Sequence, residues 1–350
     1  MEKTYPFYAR LAYILISCIC LFYIFLIGKQ ILCPLIFSFL FAILLLPLCN
    51  FLEQKCKIPR VISAILCVVF LISAVVGIIY LLSIELSHLG SDWPKLKQQV
   101  FNSIGDIQAW VALNFDVNAA KQTKYLNTQT GKLLSSNTAV LGETVLSISS
   151  ILLFLIFIFL YTFFILLKRS LLIGFLIAVF DDAHSHIVYD AVEQIKYIIK
   201  KYIVGLVLQM LIVALLTFLV FSILGVQYAL LLGLLTGILN IIPYVGILSA
   251  LILSMVVTLA TASGLHALWV GAALLGIHII DANILMPIVV GSKVKINALI
   301  VVLGVVIGEM LWGISGMFLA IPIVAIAKII FDRIDGLKPW GMLLGDEKSG

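Results

Sequence analysis

Over 350 residues the chain is 63% hydrophobic and only 11% charged, with a mean hydropathy of +1.23. An ordinary soluble domain carries about 25% charged residues, so a water-soluble globule is excluded and an integral membrane protein is indicated. The net charge of +5 is spread over loops and terminal segments without a Lys/Arg stripe interleaved with aromatics, which argues against nucleic acid as a partner and leaves charge as a signal of topology.

Apolar stretches near or above the roughly 20 residues needed to cross a bilayer recur along the chain, and alternating β patterning is absent. The fold class predicted is an all-α polytopic membrane protein. Its first spans are Leu11 to Ile27, Ile31 to Phe51, Val61 to Ile84 and Leu146 to Leu167, followed by Tyr202 to Leu224 and three more complicated blocks. All six cysteines lie within the first 67 residues, in or beside spans, which speaks against structural disulfides. Leu15-Ile16-Ser17-Cys18 loosely resembles a lipoprotein cleavage site, but the apolar run continues through Ile27 and predicts an uncleaved first helix.

Lys3 and Arg10 precede the first span, Lys55, Lys57 and Arg60 join the second to the third, and Lys168, Arg169, Lys196, Lys200 and Lys201 follow the fourth. The positive-inside rule makes these segments, and both termini, cytoplasmic. The loop from Glu85 to Thr144, with lysines and acids in balance, then faces outward. Within it Leu89, Trp93, Leu96, Val100, Ile104, Ile107 and Val111 recur every three or four residues and predict one buried helix face. Its partner is a second loop helix near Lys132 to Leu141, the membrane surface or another subunit. In Asp181-Asp182-Ala183-His184-Ser185-His186 the aspartates suit the N-terminus of a cytoplasmic amphipathic helix leading to Lys201, and no metal site is expected there.

From Tyr202 to Ala327 the only charged side chains are Asp281, Lys293, Lys295 and Glu309. The lysines lie in a polar connector, read as a cytoplasmic loop. The apolar run from Gln227 to Ala262 is interrupted by Asn240, Pro243 and Gly246, and parity requires it to enter the membrane and return. It is either two short spans or a re-entrant hairpin with its tip around Asn240 to Gly246. Leu299 to Ala327 repeats this from the opposite face, broken at Trp312-Gly313-Ile314-Ser315-Gly316. Each block opens on GxxxG (Gly233 to Gly237, Gly304 to Gly308), which also permits close helix packing, and each carries a later proline, Pro243 or Pro322. Paired, interrupted segments of opposite orientation point to the site of a secondary transporter, because broken backbone is tolerated where it lines a cavity.

Between the blocks, Leu265 to Val290 forms one span containing His278, Asp281, Asn283 and Pro287. An ionised residue near a helix centre costs about 2.5 to 3.5 kcal/mol on insertion scales, so Asp281 should line a pathway or pair with hairpin backbone. Glu309 is either a functional carboxylate or paired within the bundle, and His266 is placed at the outer interface. The phosphate-loop pattern GxxxxGK[ST], HExxH and GxSxG are all absent, so neither an enzyme nor a bound cofactor is expected.

Leu224-Gly225-Val226-Gln227-Tyr228-Ala229-Leu230-Leu231-Leu232-Gly233, Asn240-Ile241-Ile242-Pro243-Tyr244-Val245-Gly246, Asn283 with Pro287 and Gly291, and Gly308 through Gly316 to Ala320-Ile321-Pro322 resemble the autoinducer-2 exporter family, the PerM-type permeases. The resemblance extends over most of the chain and departs at Asn297-Ala298 and at Glu309. It implies a bacterial inner-membrane protein of about eight helical segments, a homo-oligomer with a pentamer suggested by analogy, and export of a small polar solute such as autoinducer-2. Some relatives are assigned cation/proton antiport.

The expected organisation is an N-terminal three-helix region over 1–84, an extracytoplasmic helical loop over 85–145, and a fourth span with its amphipathic segment over 146–201. A transport core over 202–335 and a tail over 336–350 complete it. The expected pathway lies between hairpin tips, with Asn240, Pro243, Tyr244, Gly246 and Asn283 on one side and Trp312, Gly313 and Gly316 on the other, and Asp281 and Glu309 coupling protons or sodium. Besides solute export, two alternatives are a monovalent cation/proton antiporter and a non-transporting membrane scaffold acting through the outer loop.

Overall fold

The computed structural model describes residues 6–115, 139–180, 182–242, 245–290 and 296–345. Among these residues the chain is almost wholly helical, and its only β feature is an isolated antiparallel bridge between Ile296 and Gly345. Seven helices among the described residues are long and apolar enough to cross a membrane. In chain order the helices are α1 (Phe7–Ile27), α2 (Lys29–Gln54), α3 (Arg60–Phe115), α4 (Ala139–Ala178), α5 (Asp182–Ile223), α6 (Ala229–Leu239), α7 (Val245–Thr261) and α8 (Gly264–Ile280). A π-helical continuation of α8 (Asp281–Val290), then α9 (Ala298–Trp312), α10 (Ile314–Phe331) and the short α11 (Lys338–Leu344) complete the order.

Two helices run through boundaries that hydropathy suggested. The third span and the predicted loop helix are one helix of 56 residues, and the amphipathic segment after Asp181 continues without a break into the fifth span as a helix of 42 residues. Falling hydropathy marks where a helix leaves the apolar layer and carries no signal to stop, since no cap or glycine pair intervenes. The fourth span does bend, at Lys168 (φ −101°, ψ 16°), where the apolar stretch meets Lys168-Arg169.

The chain forms two compact units: 1–69 with 154–203 and 293–350, and 70–153 with 204–292. In the first, the basic segments predicted to share one side of the membrane meet directly. Arg169 forms a two-pronged ion pair with Glu53, Arg60 donates to Ser170 Oγ at 2.7 Å, and Arg333 pairs with Asp190 at 2.6 Å. In the second, Phe221, Val226, Leu232, Val257, Val270 and Leu274 form a core drawn from α5 to α8. Leu89 packs against that core and Leu96 is buried. The start of the α3 apolar face therefore finds its partner in its own unit, because the helix continues straight from the span. The side chains of Trp93, Val100, Ile104, Ile107 and Val111, and most of the predicted second loop helix, lie outside the described residues.

The two interrupted blocks are helical pairs. In the first, α6 has 11 residues and α7 has 17, or about 16 and 26 Å at about 1.5 Å per residue, each short of a hydrocarbon core about 30 Å thick. A Cβ placed on Gly246 would lie 1.9 Å from the Leu239 carbonyl oxygen, so only glycine permits this approach of α7 to the end of α6. In the second block the turn is Gly313 alone, at φ 63° and ψ −141°, a conformation close to one reserved for glycine. Gly308 and Gly316 then meet backbone to backbone, a Cβ on Gly316 falling 1.9 Å from the Gly308 carbonyl oxygen.

The GxxxG motifs do different work. Gly233 and Gly237 face Ala214, Phe218 and Met210 on α5, whereas Gly304 and Gly308 face the return helix α10. Both are close-packing surfaces.

Candidate functional site

The second unit assembles a polar site inside an apolar span. Asp281 stands where α8 changes from α to π geometry and is only 4% exposed. Its carboxylate accepts from Gln209 Nε2 at 2.8 and 3.0 Å and from Asn240 Nδ2 at 3.0 Å. Three elements thus converge on one side chain: α5 through Gln209, the end of α6 through Asn240, and α8 through Asp281. No cation pairs with Asp281 among the described residues. A buried carboxylate is retained in a membrane only when neighbours or a bound species satisfy it. Here two neutral side-chain amides do so, with no ion-pair partner among the described residues.

The depth of the site follows from the span. The apolar segment runs from Gly264 to Ile288, so Asp281 lies about 10 Å inside its far end at about 1.5 Å per residue. Asn240, bonded to it, therefore sits at the same depth.

Other groups near the site have local duties. Asn283 Nδ2 donates to the Ile279 carbonyl at 2.8 Å, satisfying backbone at the junction of α8 with its π continuation, and is exposed. His278 Nδ1 is buried without a hydrogen-bond partner among the described residues. His266 fastens the start of α8 to the end of α5, its Nε2 lying 2.7 Å from the Leu224 carbonyl oxygen. Pro243 and Tyr244 lie outside the described residues.

Of the residues expected at the second tip, Trp312 is 5% exposed, donates from Nε1 to the Phe25 carbonyl at 2.9 Å and meets the Phe25 ring edge-on. Gly313 forms the turn and Gly316 the close contact described above. Glu309 is exposed on α9, where its carbonyl accepts from Gly313 N–H at 2.8 Å and its carboxylate has no hydrogen-bond partner among the described residues. Asp281 and Asn240 are therefore brought together, whereas Trp312 ties α9 to α1 and Gly313 and Gly316 shape the second pair of helices.

Reading the sequence for charge missed Gln209, which is 7% exposed. The available signal was a lone amide in the otherwise apolar run from Tyr202 to Leu216. Of the Asp181 to His186 segment, Asp181 and the side chains of Asp182, Ala183 and His184 lie outside the described residues.

Comparison with known proteins covers nearly the whole chain. The sequence model of the family described as "AI-2E family transporter" matches residues 14–336. The chain is similar to AI-2 transport protein TqsA of Escherichia coli (strain K12), 25% identical over 322 residues that make up 91% of this chain and 90% of the relative. It is 23% identical to YhhT of the same organism over 321 residues, 91% of this chain and 89% of the relative. It is 32% identical to YrrI of Bacillus subtilis (strain 168) over 133 residues, 37% of this chain and 36% of the relative.

Proposed function

From one premise, that the chain belongs to the AI-2E family of transporters, we propose that this multi-pass membrane permease exports a small polar solute such as autoinducer-2 by secondary transport. The observation that carries this is the Asp281 site. A hydroxylated solute reaching the α6–α7 tip would meet a carboxylate acceptor, two side-chain amides and the backbone groups left open where α6 ends, in a layer that otherwise offers no hydrogen bonds. Asp281 either binds the solute or carries the proton that drives it. The placement follows the positive-inside rule, with the protein in the bacterial inner membrane and both termini cytoplasmic. Self-association into a homo-oligomer, a pentamer by family analogy, belongs to the same reading.

The test is efflux of labelled autoinducer-2 from proteoliposomes. Asp281→Asn and Asn240→Ala should each abolish or sharply slow it, and Gly313→Leu should do so by deforming the second turn. Folded Asp281→Asn and Asn240→Ala proteins that export at the unaltered rate would refute the site.

A second function is favoured by a buried carboxylate that two neutral amides satisfy with no ion-pair partner among the described residues: exchange of a monovalent cation for protons. In liposomes with an imposed pH gradient, added sodium, potassium or lithium would then collapse the gradient, and Asp281→Asn would prevent it. Glu309→Gln run alongside separates the two carboxylates. No collapse with folded protein would rule out antiport and leave solute export.

A further inference from the structure

The first unit contains a cavity of about 590 Å³ between α2, α4, α5 and α10, within the range of about 300 to 1,000 Å³ typical of ligand sites. Its walls are apolar, supplied by residues such as Phe39 and Ala42 from α2, Leu172 from α4 and Ile323 from α10. The only charged residues lining it are Arg169 and Lys196. Water held there would find almost no hydrogen-bond partners, so the walls call for an apolar occupant and the two cations for an anionic end.

Both cations keep donors free for such an end. Arg169 commits Nη1 to Glu53 and Cys49 and one Nη2 proton to Glu53, which leaves Nε and a second Nη2 proton of its five donors without a partner among the described residues. Lys196 uses one proton on Glu193 at 2.7 Å. Beside them Arg60 donates to Ser170, the residue after Arg169, and its buried Nε has no partner among the described residues. Three cations here face two carboxylates, Glu53 and Glu193, leaving one positive charge in excess. These residues belong to the basic segments that the positive-inside rule assigns to the cytoplasmic leaflet, where anionic lipids collect and basic pockets between spans hold their headgroups.

We propose that this groove binds one anionic phospholipid, with an acyl chain along the apolar wall and the phosphate against Arg169 and Lys196. One acyl chain of such a lipid matches the lining and its anionic head the charge excess, and the lipid comes from the solvent that surrounds the spans.

The test is native mass spectrometry of the detergent-purified full chain titrated with phosphatidylglycerol, with phosphatidylcholine of the same acyl chains, and with glycerol phosphate. The expected result is one phosphatidylglycerol retained per chain, with weak retention of phosphatidylcholine and none of glycerol phosphate. Lys196→Ala should weaken retention about fivefold, the share of one basic residue near an anionic surface. Leu172→Trp, at an exposed part of the wall, should block it. Equal retention of the two lipids would overturn the headgroup assignment, and retention of glycerol phosphate would reduce the site to a small-anion site. Should a variant fail to fold, the comparison of the three probes on the unaltered protein still decides.

Discussion

Replacing Gln209 by leucine removes both N–H contacts to Asp281, at 2.8 and 3.0 Å, while leaving the volume on α5 nearly unchanged. Side-chain hydrogen bonds between membrane helices average about 0.6 kcal/mol and reach about 1.7, whereas bonds to charged groups contribute about 1.5 to 3 kcal/mol. Asp281 is 4% exposed and keeps only Asn240 as a side-chain donor after the change. The upper part of the membrane range then applies, and Gln209→Leu should destabilise the protein by about 1.5 kcal/mol. Asp281→Leu alone leaves both amides without their acceptor and should cost about 1 to 3 kcal/mol. In the double variant a facing polar pair becomes apolar on both sides, so the loss should fall short of the sum by about 1 kcal/mol or more. Unfolding of the four proteins by dodecyl sulfate in mixed micelles, followed by circular dichroism, gives that coupling directly. Additivity within about 0.3 kcal/mol would mean that Gln209 and Asp281 do not interact in the folded protein, and the convergent site would have to be abandoned.

Gly316→Ala should be more damaging than Gly313→Ala. The first drives a Cβ to 1.9 Å from the Gly308 carbonyl oxygen, while the second has open space around it and pays only backbone strain of about 1 to 3 kcal/mol; thermal midpoints in detergent would rank the pair. Trp312→Phe keeps a ring against Phe25 but loses the Nε1 bond to its carbonyl, an expected loss of about 1 kcal/mol measured the same way. Glu309→Gln should leave stability within about 0.5 kcal/mol, because the exposed carboxylate has no side-chain bond among the described residues; a large drop would show that Glu309 is held by a neighbour in the assembled protein.

Much of the architecture was legible in residue order. Hydropathy located the spans, and Asn240, Gly246 and Gly313 marked where the apolar blocks turn, because glycine and a helix-end amide serve where backbone must bend or approach closely. Asp281 stood out because a carboxylate in an apolar span has to be accounted for. Helix continuity was less visible. At Glu85 and at Lys201 polarity changes while helix propensity does not, so composition implied segments that the helices α3 and α5 ignore.

The sequence by itself determined that this is a helical membrane protein with two interrupted blocks, because the bilayer imposes length, apolarity and charge bias residue by residue. Tertiary structure alone decided that Gln209 and Asn240 are the groups that meet Asp281. Those three residues are brought together from three elements by packing, and pairing across such separations leaves no local pattern. The same holds for the groove at Arg169 and Lys196, whose walls come from four helices. It also holds for the two GxxxG motifs, alike in sequence, one of which packs on a preceding span and the other on its own return helix.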